Sequence, residues 1–342
     1  MKHHLNTLFI TTEDACLTKQ GEAVVVRVEQ ENKLHVPLNN IGGIVCFGRV
    51  LLTQPAIAKC AEQGVPISLL DRNGRFLARV TGPTSGNVLL RRQQYRCSDS
   101  LAAVEIARHV VIGKIANARA VLLRHLRDYP EPDGASNVAA AAERLSAQIK
   151  QARAVADLDA LRGVEGDAGR TYFGVFDELI RAQRDAFRFT GRSRRPPLDN
   201  VNALLSFLYA MLAQDAVGAC EAVGLDPAVG FLHRDRPGRP GLALDLIEEL
   251  RPFLADRLAL SLINRRQVTA DGFTAMPGGA VQMSDKTRKA VLTAYQQRKQ
   301  MVVTHPFLGE RTTIGLIVHL QARLLARHLR GDEDAYPPFL WK

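Results

Sequence analysis

Four side chains in the second half of this chain are of types that hold divalent cations. Glu165 stands in Gly163-Val164-Glu165-Gly166, His233 follows 68 positions later in Phe231-Leu232-His233-Arg234, and Asp245 and Glu248 come soon after in Leu242-Ala243-Leu244-Asp245-Leu246-Ile247-Glu248. Carboxylate oxygens joined by one imidazole nitrogen suit Mg²⁺ or Mn²⁺. Asp245 and Glu248 are spaced i, i+3 and project from one face of a helix. They sit among Leu242, Leu244, Leu246 and Ile247, so both are expected to be partly buried. A buried carboxylate needs a compensating partner, and a metal ion is one. Glu249 lies about 100° further around the helix from Glu248 and is the weaker ligand candidate. Spacing of this kind is common by chance in 342 residues; its surroundings are not.

The elements that must position these groups fall into two blocks, an α+β arrangement of a small N-terminal β-rich domain (1–82) and a larger all-α domain that carries the chemistry (100–330). Up to residue 82 apolar residues alternate with the period of strands: Leu8-Phe9-Ile10, Val24-Val25-Val26-Arg27-Val28, Lys33-Leu34-His35-Val36-Pro37, Gly42-Gly43-Ile44-Val45-Cys46-Phe47, Val65-Pro66-Ile67-Ser68-Leu69-Leu70 and Arg75-Phe76-Leu77-Ala78-Arg79-Val80. Gln20-Gly21, Glu31-Asn32 and Asp71-Arg72-Asn73-Gly74 supply turns. Thr53-Gln54-Pro55 opens a short helix, with Thr53 as its N-cap. Gly82-Pro83-Thr84-Ser85-Gly86 breaks the pattern, and residues 83–99 form a linker and the start of the first helix. Helical spacing then predicts helices over 100–126, 139–156, 165–185, 198–222, 240–262, 284–303 and 311–330, with Pro130-Glu131-Pro132-Asp133-Gly134 ending the first. Residues 331–342 read as a polar break and an extended aromatic tail, with Phe339 and Trp341 packing either on their own chain or on a partner.

The chain carries 45 Lys and Arg against 35 Asp and Glu, a net charge of +10, which favours polyanionic partners. Residues 1–96 hold 12 basic and 7 acidic side chains, and the remainder holds 33 and 28, so no basic tail accounts for the excess. A nucleic-acid surface must therefore be assembled by folding. Its densest sources are Arg181, Arg184, Arg188, Arg192, Arg194 and Arg195, opposed by Asp185, and then Arg234, Arg236 and Arg239 directly after His233. Five cysteines, odd in number and without a CxxC pair, argue against a disulfide framework or a zinc site. No apolar run approaches the roughly 20 residues that span a bilayer. No apolar signal region precedes Leu8, so the expected location is the cytoplasm, off the membrane.

Gly163-Val164-Glu165-Gly166, Tyr172-Phe173, Asn202-Ala203-Leu204-Leu205-Ser206-Phe207-Leu208-Tyr209-Ala210, and Gly230-Phe231-Leu232-His233 through Leu244-Asp245-Leu246-Ile247-Glu248-Glu249 with Arg251-Pro252 follow one another in order. Together they resemble the signatures of the CRISPR-associated spacer integrases, over nearly the whole chain. The resemblance implies a DNA endonuclease that inserts captured fragments into CRISPR arrays, with Mg²⁺ or Mn²⁺ on Glu165, His233 and Glu248. Glu248 departs from the Asp that many relatives carry there, which lengthens one ligand arm. Asp245 matches a neighbouring acidic position of the motif and belongs with the catalytic group.

The same resemblance implies double-stranded DNA as partner, a homodimer, and a small CRISPR-associated protein bridging two dimers. We expect residues 1–82 to supply much of the homodimer contact, because paired sheet edges make symmetric interfaces at little cost. A metal-dependent repair nuclease acting on branched DNA would use the same residues with water as nucleophile. A non-catalytic nucleic-acid scaffold would bind DNA without cutting it. One ligand set is compatible with either one ion or two.

Overall fold

A computed structural model describes residues 6–83, 88–129 and 134–341. The expected N-terminal lead (1–5), most of the Gly82–Gly86 break (84–87), the proline-rich helix end (130–133) and Lys342 lie outside the described residues. The chain packs as two compact units, one of residues 1–85 with 283–300 and one of residues 86–282 with 301–342.

The first unit contains two four-stranded sheets. Strands β1 (Thr7–Ile10), β5 (Gly43–Phe47), β7 (Ile67–Leu70) and β8 (Phe76–Val80) lie in that spatial order; β1, β5 and β7 are parallel and β8 is antiparallel to β7. The second sheet runs β4 (Glu31–Pro37), β3 (Ala23–Val28), β2 (Ala15–Gln20), β6 (Val50–Leu52). Helix α1 (Gln54–Glu62) supplies the crossover that parallel β5 and β7 require. Inward residues of both sheets, among them Ile10, Leu17, Val24, Ile44 and Ile67, share one core with Ala56 and Cys60 of α1.

Strands β2 and β6 escape the periodicity. Thr18 and Lys19 give β2 a polar, half-exposed look, and β6 has only three residues. The turn expected at Glu31-Asn32 falls instead at Glu29 and Gln30, both with positive φ, and β4 starts at Glu31. Thr53 does stand at the N-cap of α1, but its hydroxyl donates to Leu17 O at 3.0 Å and caps no helical N–H.

The second unit is built from α2 (Val88–Ser98), α3 (Ala102–Asp128), α4 (Ala135–Ala154), α5 (Leu158–Gly174), α6 (Asn200–Val223), α7 (Gly241–Glu248), α8 (Arg257–Asn264) and, after α9 (Asp285–Gln300), α10 (Ile314–Arg330). Residues 83–99 are thus more than a linker. Gln94 of α2 donates to Asp226 O and Val229 O, both at 2.8 Å, and accepts from Asp226 N at 2.9 Å, so α2 braces the loop that leads to His233. Asp199 caps α6 by accepting from Asn202 N at 2.7 Å, and Gly224 ends the helix at φ +86°.

Helix α6 corrects the expectation that no apolar run is long enough for a bilayer. Asn200–Val223 is long and apolar enough by composition to cross a membrane, with mean hydropathy 1.4. Its apolar stretch is 61% buried within the chain, the pattern of a core helix.

Two expected helices have different limits. The helix predicted over 165–185 begins at Leu158, where Asp157 caps it by accepting from Ala160 N at 2.8 Å, and it ends at Gly174. Glu165 is therefore mid-helical rather than at a helix start. The helix predicted over 240–262 is α7, a wide π turn over Arg251–Asp256, and α8. Pro252 has no N–H to donate, and the ladder loosens there. The predicted helix over 284–303 is α9, which belongs to the β-rich unit and not to the helical one. Arg288 donates to Arg72 O, and Gln296 to Thr7 O at 3.0 Å, tying α9 to that unit by polar contacts its periodicity does not reveal.

Candidate metal and catalytic site

Helix α5 buries Leu161, Val164, Ala168 and Tyr172, a stripe at helical spacing, and Glu165 stands at its edge with its side chain 28% exposed. Helix α7 buries Asp245 and Glu248 almost completely. Its first N–H groups are satisfied by the loop before it: Gly241 N donates to Ala228 O at 3.1 Å and Leu242 N to Pro227 O at 3.0 Å. The approach is close enough that a side chain at Gly230 would place its Cβ 2.7 Å from Asp245 Oδ2 and 2.8 Å from Gly241 C. The loop then wraps the Asp245 carboxylate. Oδ2 accepts from Phe231 N at 2.6 Å and Leu232 N at 3.0 Å, and Oδ1 from His233 N at 3.1 Å.

His233 Nδ1 lies 2.6 Å from Asp245 Oδ1. With the proton on Nδ1 the imidazole donates to the carboxylate, and Nε2 keeps its lone pair on the opposite edge of the ring. Nε2 is 3.7 Å from Glu248 Oε1. Asp245, saturated by four donors, is thus the group that orients His233. Glu248 and Glu165 meet at a residue that sequence reasoning missed: the Lys114 ammonium of α3 pairs with Glu165 Oε1 and lies 2.7 Å from Glu248 Oε2. Arg251, on the π turn, donates to Glu248 Oε1 at 2.5 Å.

Burial alone would raise the Glu248 carboxyl, but Arg251, Lys114 and His233 outweigh it and hold it at about 2. For Lys114, burial pulls its pKa down, and Glu248 and Glu165 more than offset that, leaving it raised. The site is a set of ionised groups held by mutual charge. Among the described residues no three His, Cys, Asp or Glu side chains stand together as a ready ligand cage, because the lysine occupies the space between the two glutamates.

The donor chemistry nevertheless fits a divalent ion. Glu248 Oε2 is buried without an aligned hydrogen bond, Nε2 of His233 is presented toward Glu248, and a cation already bridges the carboxylates. Lys114 also carried a signal in the sequence: it is a lone charge in Val110-Val111-Ile112-Gly113-Lys114-Ile115, the same pattern that marked Asp245 and Glu248.

A narrow cleft adjoins the site, lined among others by Lys114, Tyr172, Arg194, Tyr209, Arg251 and Asp256. Tyr209 donates to Asp256 Oδ1 at 2.6 Å, and the guanidinium groups of Arg251 and Arg192 lie 4.9 and 5.1 Å from its ring centre. Burial raises Asp256 to about 6 against the opposing pull of Tyr209 and Arg192, and burial lifts both Tyr172 and Tyr209 well above the usual tyrosine value.

The nine arginines expected at DNA divide. Arg192 is turned inward to Asn202 Oδ1 and to Ser193 O at 2.8 Å. Arg181 lies 3.8 Å from the ring centre of Tyr129, Arg184 faces Asp177 and Glu178, and Arg234 donates to Asp159 Oδ1 at 2.8 Å. Arg188, Arg194, Arg195 and Arg236 are exposed. Arg239 is half-buried, its pKa lowered by burial and by Arg236, and it feels the charges of Asp245, Arg195 and Arg251.

Glu249 points away from all of this. It is fully buried and accepts from Tyr336 Oη at 2.7 Å, Gln321 Nε2 at 2.8 Å and Phe339 N at 2.9 Å. Burial raises it to about 7 against those three donors. The C-terminal tail therefore docks on its own chain. Asn117 Nδ2 donates to Glu249 O at 2.6 Å and Phe339 O at 2.8 Å, and Phe253 packs against the rings of Phe339 and Trp341. Gly113 makes room, since a Cβ there would lie 3.0 Å from both Glu249 Oε2 and Pro338 Cβ.

The model of the CRISPR associated protein Cas1 family matches residues 8–297. The chain is 51% identical over 343 residues to CRISPR-associated endonuclease Cas1 1 of Chlorobaculum tepidum, with 100% of both chains covered. It is 54% identical over 346 residues to CRISPR-associated endonuclease Cas1 2 of Rhodospirillum rubrum, again with 100% of both covered. Among solved structures, its fold is similar to a CAS1 protein from Thermotoga maritima (TM-score 0.81, 22% identity, 97% of this chain and 99% of that one). It is also similar to a casposase bound to integration product (TM-score 0.85, 23% identity, 98% and 94%).

Proposed function

The chain belongs to the CRISPR-associated Cas1 family, and on that premise we propose that it inserts short DNA fragments as new spacers into CRISPR arrays by transesterification of phosphodiesters. The observation that supports the site assignment is that Glu165 and Glu248 share one cation while an Asp245-oriented His233 turns Nε2 to within 3.7 Å of Glu248 Oε1. Mg²⁺ or Mn²⁺ held by Glu165, His233 and Glu248 would polarise the scissile phosphate and stabilise charge on the departing 3′ oxygen. Asp245 keeps the His233 proton on Nδ1 so that Nε2 is presented as a lone pair. Arg251 holds Glu248 ionised and, with Arg194, turns positive charge toward the adjoining cavity, where phosphate oxygens carry negative charge in reactant and transition state alike. Arg188, Arg195, Arg236 and Arg239 extend that charge outward toward the DNA backbone.

The nucleophile in joining is the 3′ hydroxyl of an incoming duplex fragment. The working form is a homodimer in the cytoplasm, contacting its copy largely through residues 1–82 and assembled with a small CRISPR-associated partner protein. The test incubates the chain with short duplex DNA, a supercoiled array plasmid and Mn²⁺, with and without that partner, and reads joined product on a gel. Hydrolysis without any joined product would overturn integration in favour of a nuclease.

A further inference from the structure

Two carboxylates drawn toward one point, one of them almost fully buried, repel each other, and a cation between them relieves that repulsion. Helix α3 supplies that cation. The Lys114 side chain is only 14% exposed, and its ammonium ties Glu165 of α5 to Glu248 of α7. We infer that Lys114 is a built-in place-holder for the metal ion, keeping Glu165 and Glu248 together while the ion is absent and giving way when it enters. The inference rests on the metal reading of Glu165, His233 and Glu248.

Three features carry it. First, the Lys114 ammonium meets both glutamates as a cation, paired with Glu165 Oε1 and 2.7 Å from Glu248 Oε2, an interaction that another cation can replace. Second, the ammonium and a divalent ion compete for the same oxygens and repel each other across a few ångström of poorly screened space. Third, the lysine has somewhere to go. Its side chain lines the adjoining cleft together with Arg194 and Arg251, so a turn of its flexible stem carries the ammonium off the glutamates toward those guanidinium groups, where it still meets negative charge when phosphate is present. The three helices are thus held in register before the ion arrives, and the cost of displacing the lysine tempers ion affinity.

The full-length chain is titrated with Mn²⁺ by calorimetry at pH 8, and its melting is followed with and without the ion. Lys114→Met should bind Mn²⁺ roughly tenfold more tightly than the parent, since one opposing unit charge is gone. The same variant should melt lower than the parent in chelator and gain more from added Mn²⁺. Lys114→Arg, which keeps the charge, should bind no more tightly than the parent. Lys114→Gln, neutral but polar, carries the same expectation as Lys114→Met and serves if the methionine variant does not fold. Unchanged or weaker Mn²⁺ binding in the neutral variant, with normal binding by the parent, overturns the place-holder role alone. A parent chain that takes up no Mn²⁺ removes the metal reading, and the inference falls with it.

Discussion

Glu248 and Glu249 are neighbours in the chain and equally buried, yet they end in opposite surroundings. Glu248 faces Lys114, Arg251 and His233, all cationic or able to become so. Glu249 faces a tyrosine hydroxyl, a glutamine amide and a backbone N–H. Cationic side chains outweigh burial and hold the first at about 2, whereas burial against neutral donors leaves the second at about 7. The difference separates a carboxylate kept ready to exchange its partner from one whose partners are part of the architecture. Burial is common to both, so burial by itself marks neither as catalytic.

The sharpest way to break this comparison is to remove the ligands. Glu165→Ala or His233→Ala should abolish cleavage and joining of DNA while circular dichroism shows a folded chain. Near-normal activity in either folded variant would sink the assignment. If Glu249→Gln were equally inactive, the two sides would not be distinct.

The next effect is on stability and has a sign. Glu249 is raised from 4.5 to about 7, so its contribution is fully present below pH 4.5 and is lost as pH rises through 7. Glu248 is lowered from 4.5 to about 2, so its contribution is present above 4.5 and is lost only as pH falls through 2. Between pH 4.5 and 7 the parent should therefore lose stability relative to Glu249→Gln, by about 3 kcal/mol at most. Denaturant melts across that range check this, and parallel curves would mean that Glu249 does not titrate there.

Asp245→Asn should weaken Mn²⁺ binding about 10- to 100-fold, the usual cost of disturbing a group that orients a metal-binding histidine. Calorimetry reads it, and unchanged affinity would detach Asp245 from the site. The smallest effect concerns the cationic rim. Replacing Arg194, Arg195 and Arg236 together should lower the log–log salt dependence of DNA binding by roughly one unit for each phosphate that is no longer neutralised. Arg257→Ala, at the tail side where its guanidinium lies 4.3 Å from the Trp341 ring centre, should leave that slope unchanged. An unaltered slope in the triple variant would take those arginines off the DNA surface.

The grouping of Glu165, His233 and Glu248 was read from the motifs around them and the resemblance those motifs carry; apolar neighbours implied burial, and so a partner, for Asp245 and Glu248. The role of Asp245 was half legible: its helical face followed from i, i+3 spacing, but three backbone donors from residues 231–233 depend on how a loop closes. Arg192 and Arg194 are two residues apart, and only packing turns one inward to Asn202 and leaves the other at the cavity. Periodicity also could not distinguish the continuous helix read over 240–262 from one interrupted by a π turn at Pro252, nor show that Glu249 would be claimed by a tail some ninety positions away.

Helix α9 lies some two hundred residues beyond the strands it packs with. On the ribosome, residues 1–85 emerge long before α9 does, so the β-rich unit is completed only after most of the helical unit has been made. Pairings of such long sequence separation form late and slow folding. A fragment lacking the first 85 residues would leave α9 without the surface it covers, whereas pairing residues 1–85 with a tethered copy of 283–300 would supply both halves of that unit.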